Sequence, residues 1–282
     1  MKSSSHERFV KFDLTGEWAL ITGGAGLLGV EHSLALLEAG ANIVLWDIDE
    51  NRLFKIAEQL KKEYANQSII TNCVDITNED AVCKAQNELE VADIIITILV
   101  NNAAINPKYN PIQLGVEFSR IENLSKEDWD QQIAVGLTGA FICSKYFGSR
   151  MANIKKGVIL NISSDLSVIS PDQRIYKVAG VDLALQPVKP LTYSVIKTGL
   201  IGMTMYLSTY WSPDGVRVNT LSPGGVYENQ DKEFVDKINN LIPLGRMARN
   251  DEYRSAVQFL CSSASEYMTG QNIVIDGGRS VW

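Results

Sequence analysis

Trp18-Ala-Leu-Ile-Thr22 is a short apolar run that ends in glycines, and from Leu27 to Glu38 apolar positions recur at helical spacing until Gly40, a natural helix stop. The alternation then repeats. Residues 42–46 read as a second buried strand, 51–64 as a helix, 68–74 as a third strand and 78–90 as another helix. Residues 94–100 and 157–162 are apolar, β-branched runs of the kind that sit centrally in parallel sheets, separated by a long helix over about 125–153. Residues 216–221 and 272–275 are later strands. Strands alternating with helices, joined by right-handed crossovers, predict an α/β fold: one Rossmann-like, doubly wound parallel sheet with helices on both faces. The whole of 1–282 reads as a single domain, with 1–13 as an N-terminal tail.

Two stretches break this plan. Residues 106–123, with Pro107 and Pro111, follow the fourth strand, and residues 170–190 follow the fifth. Connections that long usually carry function or are disordered. Both leave strand carboxyl ends, where open parallel sheets bind ligands.

Composition narrows the function. The chain has 282 residues, 45% of them hydrophobic, enough for a sizeable core. The net charge of −7 comes without a basic tract or interleaved aromatics, so the chain has no nucleic-acid footprint and a small-molecule partner fits better. Cys73, Cys83, Cys143 and Cys261 form no Cys-x-x-Cys pair, which argues for buried thiols over a zinc ribbon or a disulfide framework. The first ten residues lack the apolar run of a signal peptide, and 91–100 is too short to span a bilayer, so a cytoplasmic protein is expected, with no membrane partner. His6 and His32 lie apart from any carboxylate-rich constellation, and no metal is expected.

Two motifs carry the chemistry. The turn Thr22-Gly-Gly-Ala-Gly-Leu-Leu-Gly29 follows a strand and opens a helix; Gly23, Gly26 and Gly29 allow positive φ angles and a close approach of backbone to a pyrophosphate at the helix N-terminus. Asp47, at the end of the next strand, can accept hydrogen bonds from an adenine-side ribose and would repel a 2′-phosphate, which favours NAD over NADP. Ile48 follows it, and Arg52 is the only close cation; Asp49 reads as the cap of the next helix. Downstream, Tyr193-Ser-Val-Ile-Lys197 places a phenol and an ammonium one helical turn apart. A tyrosine ordinarily titrates at about pH 10, and a nearby cation favours the phenolate. Tyr176 and Tyr210 have no lysine four residues on.

With these motifs the chain resembles the short-chain dehydrogenase/reductase family from Leu14 to Trp282. The likeness extends to Asn101-Asn-Ala-Ala104, similar to the family's Asn-Asn-Ala-Gly, to Asn161-Ile-Ser-Ser164, to Pro223-Gly224, and to Ile275-Asp-Gly-Gly278. The resemblance implies that Tyr193 is the acid/base, that Ser164 donates a hydrogen bond to the substrate oxygen in preference to Ser163 or Ser167, and that Lys197 lowers the tyrosine pKa and binds the nicotinamide ribose. It further implies that Thr22, Leu27 and Leu28 join the glycines in the nucleotide turn, that Asp75 and Ile76 flank the adenine, that Asn101 to Ala103, with Ala104 beside them, line the adenosine ribose, and that Pro223, Gly224 and Val226 border the nicotinamide. Asn101 could equally be a strand-stabilising side chain. Glu228 sits where the family often has a threonine. A homotetramer or dimer built on the long helices is implied as well.

Two departures stand out. Where the family usually has Val-Asn-Leu-Thr-Gly, with an asparagine that completes a proton relay, this chain reads Val135-Gly-Leu-Thr-Gly139. A glycine at 136 still offers a carbonyl and can unwind a helix locally. Ser164 and Tyr193 are 29 positions apart, about twice the family spacing, so an extra segment overhangs the substrate site. Within or near it, Arg174, Lys177 and Lys189 could hold a phosphate or carboxylate, and Asp165 could orient a sugar hydroxyl or cap a turn; an oligomer contact or a solvated loop is the plainer reading of the segment. The insertion together with Val-Gly-Leu-Thr-Gly resembles a branch of bacterial enzymes linked to surface-sugar and flagellin modification, which points to carbohydrate metabolism. The expected activity is therefore NAD-dependent interconversion of a secondary alcohol and a ketone on a sugar or sugar derivative. A nucleotide-sugar epimerase or dehydratase with recycled NAD would need a larger C-terminal domain than the 85 residues after Lys197 provide. A non-catalytic NAD-binding sensor draws its support from Gly136.

Overall fold

The computed structural model describes residues 11–105 and 116–282; His6, Pro107 and Pro111, and with them part of the tail and of the first long connection, lie outside the described residues. Seven strands form one sheet: β1 (Trp18–Thr22), β2 (Asn42–Asp47), β3 (Ile69–Cys73), β4 (Ile98–Asn101), β5 (Gly157–Ile162), β6 (Val216–Pro223) and β7 (Asn272–Ile275). They are all parallel, in the order β3-β2-β1-β4-β5-β6-β7. The order reverses between β1 and β4. At that reversal the loops leaving β1 and β4 diverge to opposite sides and open a crevice at the strand carboxyl ends.

The helices are α1 (Leu27–Glu38), α2 (Glu50–Glu63), α3 (Glu79–Val91), a helical run over 126–153, α7 (Leu191–Trp211), α8 (Lys232–Asn239) and α9 (Arg254–Cys261). Asp49 caps α2 by accepting from Arg52 N, as expected, and Asn78 caps α3 in the same way through Ala81 N. One core packs α1, α2 and α9 on one face of the sheet through residues such as Leu36, Leu53 and Leu260; the other packs α3 and the long helical run on the opposite face through Leu89, Phe147 and Met151. Strands β1 to β6 contribute to both layers, whereas β7, at the edge, packs on the first alone. This two-sided burial is the reason the strands read as continuous apolar runs.

Two expectations need correction. The fourth strand begins at Ile98, because pairing with β1 starts at Ala19↔Ile98; Asp93 turns with φ +59° and Ile94 N donates to Leu89 O, so the first apolar residues of 94–100 close α3 and never join the ladder. The long helix is interrupted: α4 (Lys126–Ile133) widens into a π turn at Ala134–Thr138, resumes as α5 (Gly139–Cys143), widens again at Ser144–Gly148 and ends as α6 (Ser149–Asn153). Each π turn contains a glycine against which α7 presses. A Cβ on Gly136 would lie 2.7 Å from Ile196 Cγ2, and one on Gly148 would lie 2.3 Å from Trp211 Cη2. On the outside of this layer Phe141, Met205, Tyr206 and Tyr210 are exposed. Among the described residues no helix is long and apolar enough to cross a membrane.

Candidate active site

A cleft of about 950 Å³ runs over the carboxyl ends of the strands, from Asp47 and Asp75 at one end to Tyr176, Lys189 and Arg279 at the other. Of the expected cofactor residues, all but Thr22, Gly29 and Asn101 line it. Those three sit behind the surface. Thr22 is buried, and its hydroxyl accepts from the backbone N–H groups of Asn102 (3.1 Å) and Ala103 (3.2 Å), while the Asn102 amide donates back to Thr22 O (3.0 Å) and Gly23 O (3.1 Å). These bonds clamp the glycine turn to the end of β4. Gly23 has φ +62°, and a Cβ there would stand 2.8 Å from Ala103 Cα; one on Gly29 would stand 2.2 Å from Gly23 O. Any side chain at either position would push the turn away from β4 or α1 away from the turn. The N-terminus of α1 is left without a side-chain cap and without an acidic residue in its first turn. Its open N–H groups beside a backbone with no side-chain cover fit a dinucleotide pyrophosphate.

Asp47 ends β2 with its carboxylate held from both sides: Oδ2 accepts from Ala25 N at 3.0 Å and Oδ1 from Asp49 N at 3.1 Å. The carboxylate is fixed in place at the adenosine end. Asp75, at the rim, accepts from both the backbone and the hydroxyl of Thr77. Asn101 is the strand-stabilising side chain of the two alternatives. Its amide donates to Ser144 Oγ (3.0 Å) and Asn161 Oδ1 (2.8 Å), and Asn161 passes the chain on to Thr204 and Thr220 across β5 and β6. Glu228 is exposed and does not line the cleft, whereas Gln230 does, donating to Val226 O.

At the other end, Ser164, Tyr193 and Lys197 meet. Lys197 is buried and donates to Ile162 O at 2.8 Å, and the Ser163 hydroxyl donates to Lys197 O at 2.6 Å, which locks the lysine turn of α7 onto the end of β5. Ser163 is thereby engaged, and Ser167 is engaged on Ser164 O. Ser164 is left beside Tyr193; its hydroxyl donates to Asp165 Oδ1 at 2.9 Å, and its nearness to the phenol favours the phenolate. Burial outweighs this influence and pushes the Tyr193 phenol up, and Asp165 adds to the rise. The sequence implied that Lys197 lowers this phenol; the larger influence in the folded chain is desolvation. Two ammoniums flank the ring, Lys189 Nζ 3.6 Å from its centre and Lys197 Nζ 5.8 Å. Burial lowers both lysines to about 8, and each is further lowered by a neighbouring cation, Arg279 for Lys189 and Lys189 for Lys197. His32, fully buried in α1, is held neutral by burial and by Lys197, with its pKa lowered to about 3.

The four residues expected near the substrate divide evenly. Lys189 and Asp165 line the cleft. Arg174 and Lys177 do not: Arg174 is turned outward in a fork with Asp172, its side chain 81% exposed, and Lys177 is exposed with its carbonyl bound by Lys237. Residues 170–190 form a wall. Asp172 caps the turn Gln173–Tyr176, Gln186 binds Val178 and Val181, Gln173 binds both backbone groups of Lys189, and Ile175 and Tyr176 pack on α8 through Phe234 and Ile238. This wall turns the ammonium of Lys189 onto Tyr193.

Asp165 neither orients a hydroxyl in isolation nor simply caps a turn. Its Oδ1 accepts from Ser164 Oγ (2.9 Å) and Leu166 N (2.9 Å), and its Oδ2 is paired with Arg279 Nη1 at 2.9 Å, with both side chains under 10% exposed. The sequence reading missed Arg279. Its signal lay in Asp276-Gly-Gly278: Gly277 and Gly278 adopt φ +67° and +90°, and the Asp276 carboxylate accepts from Gly278 N and Ser280 N. The resulting turn folds the C-terminus back over the cleft.

The π turn at Gly136 bears directly on the missing relay asparagine. Any side chain at 136 meets Ile196, the residue before Lys197. Gly136→Asn is therefore expected to destabilise the fold by about 1–3 kcal/mol through overpacking and to lower activity by displacing α7. Thermal unfolding and steady-state rates check this; a variant as stable as wild type and more active would show that the asparagine is simply lost.

A sequence model described as short chain dehydrogenase matches residues 17–239. Among curated proteins, the chain is 29% identical to a D-threitol dehydrogenase of Mycolicibacterium smegmatis, over 99% of each chain. Among solved structures, it is similar to a gluconate 5-dehydrogenase of Burkholderia cenocepacia in complex with NADP and tartrate (26% identity, TM-score 0.83, 98% of this chain and 99% of that one). It is also similar to a short chain dehydrogenase of Leptospira borgpetersenii with bound NAD+ (30% identity, TM-score 0.82, 100% and 98%).

Proposed function

Because the chain belongs to the short chain dehydrogenase family and is an oxidoreductase of CH–OH groups, we propose that it interconverts a secondary alcohol and a ketone on a sugar or sugar derivative, with NAD as the preferred cofactor. The observation that carries this reading is the Tyr193 phenol, in one cleft with Ser164 and flanked by Lys189 and Lys197, at the opposite end from the uncapped glycine turn. The names of similar proteins, a dehydrogenase of the polyol threitol and one of the sugar acid gluconate, support a polyhydroxylated substrate.

In this proposal a bound nicotinamide supplies the hydride acceptor and donor, held by the glycine turn, Asp47 and Lys197. The protein's own residues handle the proton. Tyr193 takes the carbinol proton during oxidation and returns it to the carbonyl oxygen during reduction. Ser164 has two acceptors within reach, Asp165 and the Tyr193 oxygen, so its hydroxyl can turn toward the oxygen on which charge develops. Lys197, anchored on Ile162 O, keeps a positive charge beside the phenolate as it forms. The apolar wall of Tyr176, Phe234 and Met247 keeps water from competing for these bonds.

Asp47 supports the preference for NAD, since its clamped carboxylate faces the place a ribose 2′-hydroxyl would take and would repel a phosphate there. Similar structures hold NAD+ in one case and NADP in the other. The test is NADH absorbance with purified protein and a panel of polyols, sugar acids, sugar phosphates and nucleotide sugars, with NADP in parallel. Substrate-dependent NADH formation is expected, with NAD favoured over NADP by about tenfold or more, and Asp47→Ser is expected to erase that preference. Cofactor binding by calorimetry without any substrate-dependent redox change would overturn the reading in favour of a sensor.

A further inference from the structure

The substrate end of the cleft holds more positive charge than its own residues neutralise. Three cations meet there, Lys189, Lys197 and Arg279, against one carboxylate, Asp165. Both oxygens of that carboxylate are occupied, Oδ1 by Ser164 and Leu166 and Oδ2 by Arg279 Nη1. The next carboxylate toward Arg279, Asp172, is closed in its own fork with Arg174. Lys197 has a carbonyl partner. Lys189 has none: among the described residues its ammonium contacts only the face of the Tyr193 ring. Arg279 uses one edge of its guanidinium on Asp165, and its Nε and Nη2 have no partner among the described residues. The adenosine end of the same cleft has the opposite balance, three carboxylates, Asp47, Asp49 and Asp75, against the one cation Arg52.

The Lys189 ammonium and the unpaired nitrogens of Arg279 are not sealed from solvent, so their donors stand open to an anion that enters the cleft. A guanidinium fork matches the planar oxygens of a carboxylate or the face of a phosphate, and an ammonium supplies a point charge beside it. We propose that the substrate carries a carboxylate or a phosphate, and that Arg279 and Lys189 together hold this group while the carbinol to be oxidised lies at Tyr193. The proposal rests on the oxidoreductase reading of this cleft and sharpens it: of polyhydroxylated substrates, the chain selects sugar acids or sugar phosphates over neutral polyols. It also gives the 170–190 insertion and the C-terminal turn one shared task, since each delivers one of the two cations.

The test uses the full chain with saturating NADH, titrated calorimetrically with a panel of hexonates, hexose phosphates and the corresponding neutral hexitols; turnover with NAD is measured on the same panel. At least one anionic class is expected to bind about tenfold or more tighter than its neutral counterpart, and the class that does so separates carboxylate from phosphate. Lys189→Met is expected to cut that anion-to-neutral ratio by about tenfold or more. The ratio is the readout because Lys189 also touches Tyr193, and a change in the phenol moves both substrates alike. Arg279→Gln is expected to do the same; should it fail to fold, Lys189→Met carries the test alone. Neutral hexitols binding as tightly as every anion, or a ratio unchanged in Lys189→Met, overturns the proposal. The two readings fail separately: anion preference in binding without turnover keeps the anion site and counts against the oxidoreductase reading, and turnover of hexitols with no anion preference does the reverse.

Discussion

Tyr193→Phe is expected to lower kcat by about 10²–10⁴ in either direction while cofactor affinity, measured by calorimetry, stays within about twofold of wild type. The substitution removes one oxygen. The ring remains, so the face against Lys189 and the packing of α7 on β5 are kept. What is lost is the group that exchanges a proton with the carbinol, and among the described residues no other phenol is placed to replace it. Tyr176 lines the same cleft, but burial pushes it up to about 12, and its ring packs at a tilt against Phe234. The pH dependence follows from the sign of the Tyr193 shift. Burial raises the phenol, so at neutral pH the protonated form predominates. Oxidation, which needs the phenolate, should accelerate as pH rises toward the raised phenol, and reduction, which needs the phenol, should hold level through neutral pH and fall only where the phenol begins to ionise. Both slopes should disappear in Tyr193→Phe. A variant that retains more than about a tenth of wild-type kcat, or that keeps the same pH slopes, would remove Tyr193 from the acid/base role.

Arg279→Met is expected to lower the unfolding free energy by about 3–5 kcal/mol, because it leaves the Asp165 carboxylate buried without its counterion. Asp165→Asn in the same chain should recover most of that loss: the amide keeps an oxygen for Leu166 N and carries no charge. Urea denaturation of the two variants checks the pair. A single variant within about 1 kcal/mol of wild type would mean that water reaches Asp165 as readily as it reaches an exposed ion pair. The effect is large because the pair bridges across β6 the two segments that leave β5 and β7. Asp165 follows β5 and Arg279 follows β7, and the bond ties the C-terminal turn to the serine that reaches Tyr193.

Much of the fold could be read along the chain. Parallel strands covered on both faces must be apolar throughout, so β1 and β5 appear in the sequence with the bounds that the structure gives them, and the short apolar run of β7 does the same at the sheet edge. Caps are equally local, and Asp49 acts as one. The fourth strand was overextended because Ile94 and Ile96 are as apolar as the residues that pair; only the start of β1 decides where the ladder begins. The π turns were out of reach for a similar reason. They depend on Ile196 and Trp211 meeting two glycines far earlier in the chain, and no spacing within 126–153 reveals that.

The site divides along the same line. Gly23, Asp47, Tyr193 and Lys197 could be picked out because their chemistry depends on near neighbours: a turn needing a positive φ, a strand end, one turn of helix. The charged residues of the insertion could not be sorted, because nothing local tells which way an arginine or a lysine on an irregular segment points; Arg174 turns outward to Asp172 and Lys189 turns inward to Tyr193. Arg279 lies 114 positions from the carboxylate it pairs with. The sequence by itself determined the parallel sheet, the nucleotide turn and the phenol–ammonium pair, since each rests on periodicity or on contacts within a few residues. The tertiary structure alone decided which cations face the substrate and how far Tyr193 is desolvated, because charge, burial and direction at that end of the cleft are set by segments that meet only when the chain is folded.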